Sequence, residues 1–345
     1  MAFEGLAVGD IHYDKIDRYF PGKGIEYQDA ELRKVFDYAA NEGLSHVFLM
    51  GDVADHPHLS VNAQKSFLSL LTDYAPKFNI YVILGNHDFA DEENNSLDMF
   101  SHMKRLNLLP DNVHLFDKPE QRKIDGVYFN FLPYPYTEVE GAKHSAINLG
   151  HFEVAGSIRD NGLKIRHGLD PKDNAYILGH LHTPHDVGKC HYTGTLYQTN
   201  FGESLPKSFT RITAKTKGGV PHFKCRRIPN DPAFKLINLT IGSKRDLKLI
   251  ENNPRYLYKL FVQEGVDLSK STIPDNVFDT IGYESKEELD ILQTMDLQDV
   301  FVDETVNYEA SLKSWLITKG LAKSKLKRAL KLAATLQDKL KETSK

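Results

Sequence analysis

The sequence is poor in cysteine. Only Cys190 and Cys225 occur among 345 residues. They share no CxxC spacing, so neither a zinc knot nor a disulfide framework is indicated, and a reducing compartment fits. No run of about 18 apolar residues exists, so no membrane-spanning helix is expected. The opening stretch MAFEGLAVGDIH has neither a basic lead nor a cleavable apolar core, and no signal peptide is expected. Excess positive charge is missing too: 43 Lys and Arg stand against 47 Asp and Glu, a net charge of −4. That balance argues against wholesale coating by nucleic acid and leaves room for a local basic groove or tail. The composition, 41% hydrophobic and 26% charged, is that of a globular chain long enough for one large domain and one or two small ones.

What is present is a repeated arrangement of apolar run, glycine and metal-capable side chain. Leu6-Ala7-Val8 leads to Gly9-Asp10, and Val47 to Met50 leads to Gly51-Asp52. Tyr81 to Leu84 leads to Gly85-Asn86-His87-Asp88, Ile147 to Leu149 leads to Gly150-His151, and Tyr176 to Leu178 leads to Gly179-His180. Such short runs read as buried strands. Between them, Tyr27 to Asn41 (Leu32, Val35, Phe36, Ala39) and Val61 to Tyr74 (Phe67, Leu68, Leu70, Leu71) have helical spacing. Strand alternating with helix predicts an α/β fold. In such folds the carboxyl ends of strands converge where ligands bind. Asp10 with His12, and His180 with His182, are two apart, which on an extended backbone puts both side chains on one side. Each element alone is a common turn; all five in order point to a metal centre. His, carboxylate and Asn oxygen suit divalent Mn, Fe or Zn. His56 and His58, in the loop after Asp52, are candidates to face a substrate.

The ordered set D-x-H, GD-x-x-D, GNHD, GH and GH-x-H resembles the calcineurin-like metallophosphoesterase superfamily, from about residue 6 to residue 203. The resemblance implies a two-sheet sandwich flanked by helices. The segment Tyr192-Thr193-Gly194-Thr195-Leu196-Tyr197-Gln198, followed by Phe201-Gly202-Glu203, is similar to that of the SbcD-like nuclease subunits of SbcCD-type double-strand-break repair complexes, a family with phage-encoded members. The family implies two divalent ions, manganese favoured over magnesium, iron or zinc, bridged by Asp52. Asp10, His12 and His182 would complete one site, and Asn86, His151 and His180 the other. His87 matches the catalytic histidine that is not a ligand. Asp55 stands where some relatives carry histidine, and is expected to orient His87 and favour its protonated form. Lys15, Arg18 and Lys23 are candidate DNA contacts.

The implied function is a two-metal DNA nuclease, exonuclease on duplex and endonuclease on single strands or hairpins, serving recombination, repair and replication. Three regions are expected: a nuclease domain over 1–230, a small α/β capping domain facing DNA over 231–285, and C-terminal helices over 286–345. Within the second, Phe234 to Ile241 and Tyr256 to Val262 read as strands and Asp246 to Glu251 as a short helix. Within the third, Leu326, Ala329, Leu330, Ala333, Leu336 and Leu340 share one helical face. The resemblance makes that face the dock for an SbcC-like coiled-coil ATPase, with a homodimer inside a heterotetramer, in the cytoplasm on the nucleoid. A phosphatase or nucleotide phosphodiesterase on the same metal site, and a metal-free scaffold, are the rival readings.

Overall fold

A computed structural model describes residues 2–295 apart from 92, 93, 161, 172 and 173. The chain divides after Leu297 into two units. The second, Gln298–Lys345, lies outside the described residues, and with it the amphipathic face expected to dock a partner. In chain order the elements are β1 (Phe3–Val8), α1 (Gly24–Asn41), β2 (His46–Leu49), α2 (Val61–Tyr74), β3 (Asn79–Ile83), α3 (Asp98–Arg105), β4 (Val113–Phe116), β5 (Glu120–Ile124) and β6 (Val127–Leu132). There follow β7 (Ile147–Gly150), β8 (Tyr176–Leu178), β9 (Asp186–Val187), β10 (Cys190–Tyr192), β11 (Lys207–Lys217), β12 (Val220–Asn230), β13 (Lys235–Ile241), β14 (Tyr256–Gln263), β15 (Val277–Tyr283) and α4 (Lys286–Met295).

Two six-stranded sheets, ordered β12-β11-β1-β2-β3-β4 and β5-β6-β7-β8-β10-β9, form the sandwich. The strand runs are apolar throughout because both faces are buried. Leu6, Val8, Val47, Leu49, Ile80 and Val82 point to a layer with Leu32, Val35, Phe36, Phe67 and Leu70 of the helices. Their neighbours Ala7, Phe48, Met50, Tyr81 and Ile83 point the other way, against Phe129, Phe131, Ile147, Leu149 and Ile177 of the second sheet. The two-residue alternation of a strand thus divides one apolar run between two cores. Helix α2 starts at Ser60, whose hydroxyl accepts from the Ala63 N–H at 3.2 Å. A serine there satisfies one of the helix's free donors.

The third sheet, β13-β14-β15, is wholly parallel. The expected helix near Asp246 is a 3-10 turn over Lys244–Leu249, too short a stretch for a regular helix. Several elements escape a strand-by-strand reading of the sequence: α3, β4, β5, β6, β9, β10 and β15, and the long β11–β12 hairpin, whose alternation is blurred by lysines. Phe234 packs its ring on Phe20, Tyr27 and Tyr197, tying the third sheet to the sandwich. Gln198 does so by hydrogen bonds, donating to the carbonyls of Glu203 at 2.8 Å and Leu236 at 2.9 Å.

The sandwich interior is aromatic at its centre: Phe116 and Phe131 stack at 3.8 Å between ring centroids. Replacing Phe131 with Ala should cost about 3–5 kcal/mol in urea unfolding of the chelator-treated protein. A loss below about 1 kcal/mol would mean that the two sheets do not pack as described.

Candidate metal centre

Five sandwich strands that run toward the shared edge lead into polar residues. Asp10 follows β1, Asp52 follows β2, Asn86 and His87 follow β3, His151 follows β7, and His180 and His182 follow β8. All seven proposed ligands meet there. The His12 Nε2 lies 3.1 Å from His182 Nε2 and 3.6 Å from Asp52 Oδ2. The His151 Nε2 lies 3.2 Å from Asp52 Oδ2 and 3.8 Å from Asp10 Oδ1. The Asn86 Oδ1 is 3.1 Å from His151 Nε2 and 2.9 Å from His180 Nδ1. The sets Asp10–His12–His182 and Asp10–Asp52–His151 each bring one donor atom apiece within 4.8 Å of one another.

The way the paired ligands converge corrects an expectation. Asp10, His12, Asp52 and His180 have φ of 48°, 49°, 48° and 83°, so they lie in left-handed turns, not on extended backbone. Such conformations cost non-glycine residues about 1–3 kcal/mol each, and hydrogen bonds hold them. The Asp52 carbonyl accepts from Ile11 N–H at 2.9 Å and His12 N–H at 2.8 Å. The Gln28 amide donates to the Ile11 and His12 carbonyls at 3.0 and 2.7 Å, and Tyr197 donates to Ile11. Buried Asp88 accepts from Val53, Ala54 and Gly85 N–H at 3.1, 2.8 and 2.9 Å and from the Ser96 hydroxyl at 2.7 Å, clamping the Asp52 loop to the Asn86 loop. Space is as constrained as angle. A Cβ on Gly85 would strike the Asp52 carboxylate, and one on Gly179 the Met50 carbonyl.

Donor chemistry fits divalent cations. The His151 Nδ1 donates to the Met50 carbonyl at 2.8 Å, leaving Nε2 with a lone pair aimed at Asp52 and Asn86. The His182 Nδ1 faces Glu203 Oε1 at 2.8 Å, leaving its Nε2 turned to His12. Buried lone pairs converging on carboxylates need positive charge between them. Burial takes the His12 imidazole down to about 4, against the pull of Asp55 and Asp52. Burial also pulls on His151 and His182, yet the carboxylates of Asp52 and Glu203 push both up to about 9. Burial raises Asp10 to about 6. Without cations, protons neutralise this pocket.

Glu203, in the segment after the last histidine pair, has a role that residue order does not disclose. Its carboxylate takes hydrogen bonds from Lys207 at 2.5 Å, Thr199 at 2.5 Å and Asn200 at 3.2 Å, besides His182. Lys207 is 1% exposed and Glu203 4%, so the ammonium and the carboxylate answer each other inside the fold. Asp160 accepts from the main-chain N–H of His182 at 3.2 Å and Thr183 at 2.7 Å, and Glu153 lies 3.9 Å from His180 Nε2. No sequence spacing announces these partners.

His87 sits beside this cluster, half-buried. Its N–H donates to Asp52 Oδ1 at 2.9 Å, and its ring meets His12 edge-on at 4.8 Å. The expected link to Asp55 exists in altered form. His87 Nδ1 is 2.9 Å from the Asp55 main-chain carbonyl, while the carboxylate turns to Lys15 at 3.1 Å and His12 Nδ1 at 3.5 Å. Burial opposes ionisation of Asp55, but His12 and Lys15 hold its carboxyl well below the usual range. Lys15 is therefore buried and paired, which corrects its expected place among surface DNA contacts. Arg18 and Lys23 are exposed, and so are His56 and His58.

These two sheets and this edge define a metallophosphoesterase. Residues 6–200 match the calcineurin-like phosphoesterase model, and the chain belongs to that family, whose members bind divalent metals. No curated protein matches the chain. Among solved structures, it is similar to GAP50, the anchor in the inner membrane complex of Plasmodium, at 12% identity and TM-score 0.37, covering 67% of this chain and 89% of that one. It is similar to vacuolar protein sorting 29 from Cryptosporidium parvum at 12% identity and TM-score 0.28, covering 66% and 99%. A protein of unknown function, AQ665 from Aquifex aeolicus, matches at 18% identity and TM-score 0.22, covering 38% and 61%. No helix among the described residues is long and apolar enough to cross a membrane.

Two measurements test the site. Glu203→Gln leaves Lys207 as an unpaired buried charge and should cost about 3–5 kcal/mol of stability and lower metal affinity about 10–100-fold. Adding Lys207→Met should restore most of the stability but not the affinity; recovery of both would make Glu203 a packing residue only. Second, His151 and His182 are raised to about 9, so both are protonated at pH 7 without metal. Manganese binding should then release protons, seen in calorimetry as a heat that varies with the buffer. The release should fade as pH rises through 9, and a buffer-independent heat at pH 7 would refute it. By the same sign, these histidines stabilise the metal-free fold fully below pH 6.5 and cease to do so above 9.

Proposed function

We propose that the protein is a two-metal DNA nuclease. The observation that carries the reading is the convergence of seven ligand-type side chains at one edge with His87 beside them but differently bonded. Asp10, His12 and His182 would hold one ion and Asn86, His151 and His180 the other, with Asp52 shared. Divalent cations held there would supply a nucleophilic hydroxide at neutral pH and positive charge against the phosphate. Asp10 and Asp52, fixed by main-chain N–H groups, would keep that charge local, and neutral Asn86 would leave the pocket net positive for an anionic substrate.

His87 is suited to the leaving side. With Nδ1 bound to the Asp55 carbonyl at 2.9 Å, its Nε2 is the nitrogen free to carry a proton to the departing ester oxygen. One oxygen from water joins phosphorus, the phosphorus–ester bond breaks, and the leaving oxygen takes the proton. DNA as substrate is supported by the segment from Tyr192 to Glu203, which resembles the SbcD-like nucleases. Its Tyr197 and Glu203 brace the loops bearing His12 and His182, so that resemblance reaches the site itself. The same reading proposes the division into nuclease, DNA-facing and partner-docking regions at 1–230, 231–285 and 286–345. It also proposes an SbcC-like ATPase as partner, manganese as the ion and the cytoplasm as location.

The test is manganese-dependent cleavage of end-labelled duplex and hairpin DNA, with and without the ATPase, beside nucleotide and phosphoprotein substrates. DNA should be cut. Turnover of the other substrates alone would replace the nuclease reading by a phosphatase one. His87→Ala should keep its bound metal and lose about 10²–10⁴-fold in hydrolysis; equal loss of metal would make His87 a ligand.

A further inference from the structure

The hairpin β11–β12 closes one edge of the first sheet and is basic. From 204 to 230 there are seven Lys or Arg and no Asp or Glu, in a protein of net charge −4. The ladder sets Arg211 opposite Arg226, Thr213 opposite Lys224, Lys215 opposite His222 and Lys217 opposite Val220. Strand alternation puts these on one face, while Ile212, Ala214, Phe223 and Cys225 turn into the sandwich. Lys215, Lys217, His222, Lys224 and Arg226 are exposed. Arg211 is neutralised by Glu4 and Glu42, each at 2.6 Å, and Arg226 donates to the Tyr38 hydroxyl at 3.3 Å. Among the described residues no carboxylate pairs with Lys215, Lys217 or Lys224.

Arg211 and Arg226 are used within the fold, but Lys215, Lys217 and Lys224 stand opposite His222, Val220 and Thr213, so the ladder gives their charge no partner. Protection of an edge strand does not require it either, because Pro221 and Pro229 already interrupt the β12 edge. We propose that this face docks the phosphate backbone of a DNA duplex. Side chains on one face recur about every 6.8 Å along a strand, and a two-stranded ribbon fits the major groove of B-DNA, about 12 Å wide. Phe209 and Ile228 on the same face are packed against the helix layer, so apart from Val220 its exposed part has no apolar side chain to enter a lipid surface. Thr210 pairs with Ala7, beside the metal centre, and Ala214 with Phe3 at the other end of β1. Lys215 and Lys217 therefore lie at the end remote from the chemistry, and the ribbon acts as a tether. The inference rests on the nuclease reading and supplies it with a second contact on the same substrate.

The test uses the full chain and its Lys215→Ala, Lys217→Ala, Lys224→Ala triple variant, whose changes touch no core. Anisotropy of a labelled duplex of about 30 base pairs, in EDTA at increasing salt, should show the variant's log–log salt slope reduced by about 2–3 and its affinity weakened tenfold or more. Manganese-dependent hydrolysis of bis(p-nitrophenyl) phosphate should be unchanged. Equal slope and affinity in both proteins would overturn the proposal, as would lysine-dependent binding of anionic phospholipid vesicles with none of DNA. The two readings separate cleanly. Binding through these lysines without cleavage keeps the tether and removes the nuclease; cleavage with unaltered binding does the reverse.

Discussion

Two carboxylates buried side by side govern this molecule. Asp10 and Asp52 are 1% and 2% exposed, and charges so placed must be met by charge or by proton. The histidines around them meet that need in the metal-free protein, and divalent cations of the kind the family binds meet it otherwise. Burial raises Asp10 while its neighbours His151, His87 and His12 hold Asp52 well below the usual carboxylate range. The two acids thus differ in basicity, though they share a chemistry and a pocket. Asp52, the more strongly ionised, is also the one whose oxygens lie near the ring nitrogens of both His12 and His151.

Holding such a pocket open demands rigid surroundings. Left-handed turns at four non-glycine residues would relax if their carbonyls and N–H groups were free. Gln28, Tyr197, Asp88 and Asp160 engage those groups, and each comes from a different part of the chain. The aromatic centre of the sandwich and the helix layer behind the first sheet support the same edge from two sides. Rigidity there is a condition for selecting cations by geometry rather than by affinity alone.

Much of this was readable from residue order. Runs such as Tyr81 to Leu84 are short, doubly buried and closed by glycine, and a ligand after each marks a strand end with little ambiguity. What escaped reading depends on partners far away in sequence. Glu203 meets His182 from 21 positions on, and Asp10 meets the His180 N–H across 170. The Asp55 carboxylate faces Lys15 at 3.1 Å rather than His87, a pairing set by the turn at Lys15 that no spacing rule foretells. The β11–β12 hairpin was invisible for the opposite reason: its lysines and threonines carry a strand period, but not a hydrophobic one.

The separation of Asp10 from His180 also bears on how the protein is made. A growing chain exposes Asp10, His12 and Asp52 while His180, His182 and Glu203 are still unsynthesised. Early acids and one early imidazole form at best a weak, open trap for ions. The seven side chains stand together only after both sheets have closed, so the pocket belongs to the finished sandwich and not to the nascent chain.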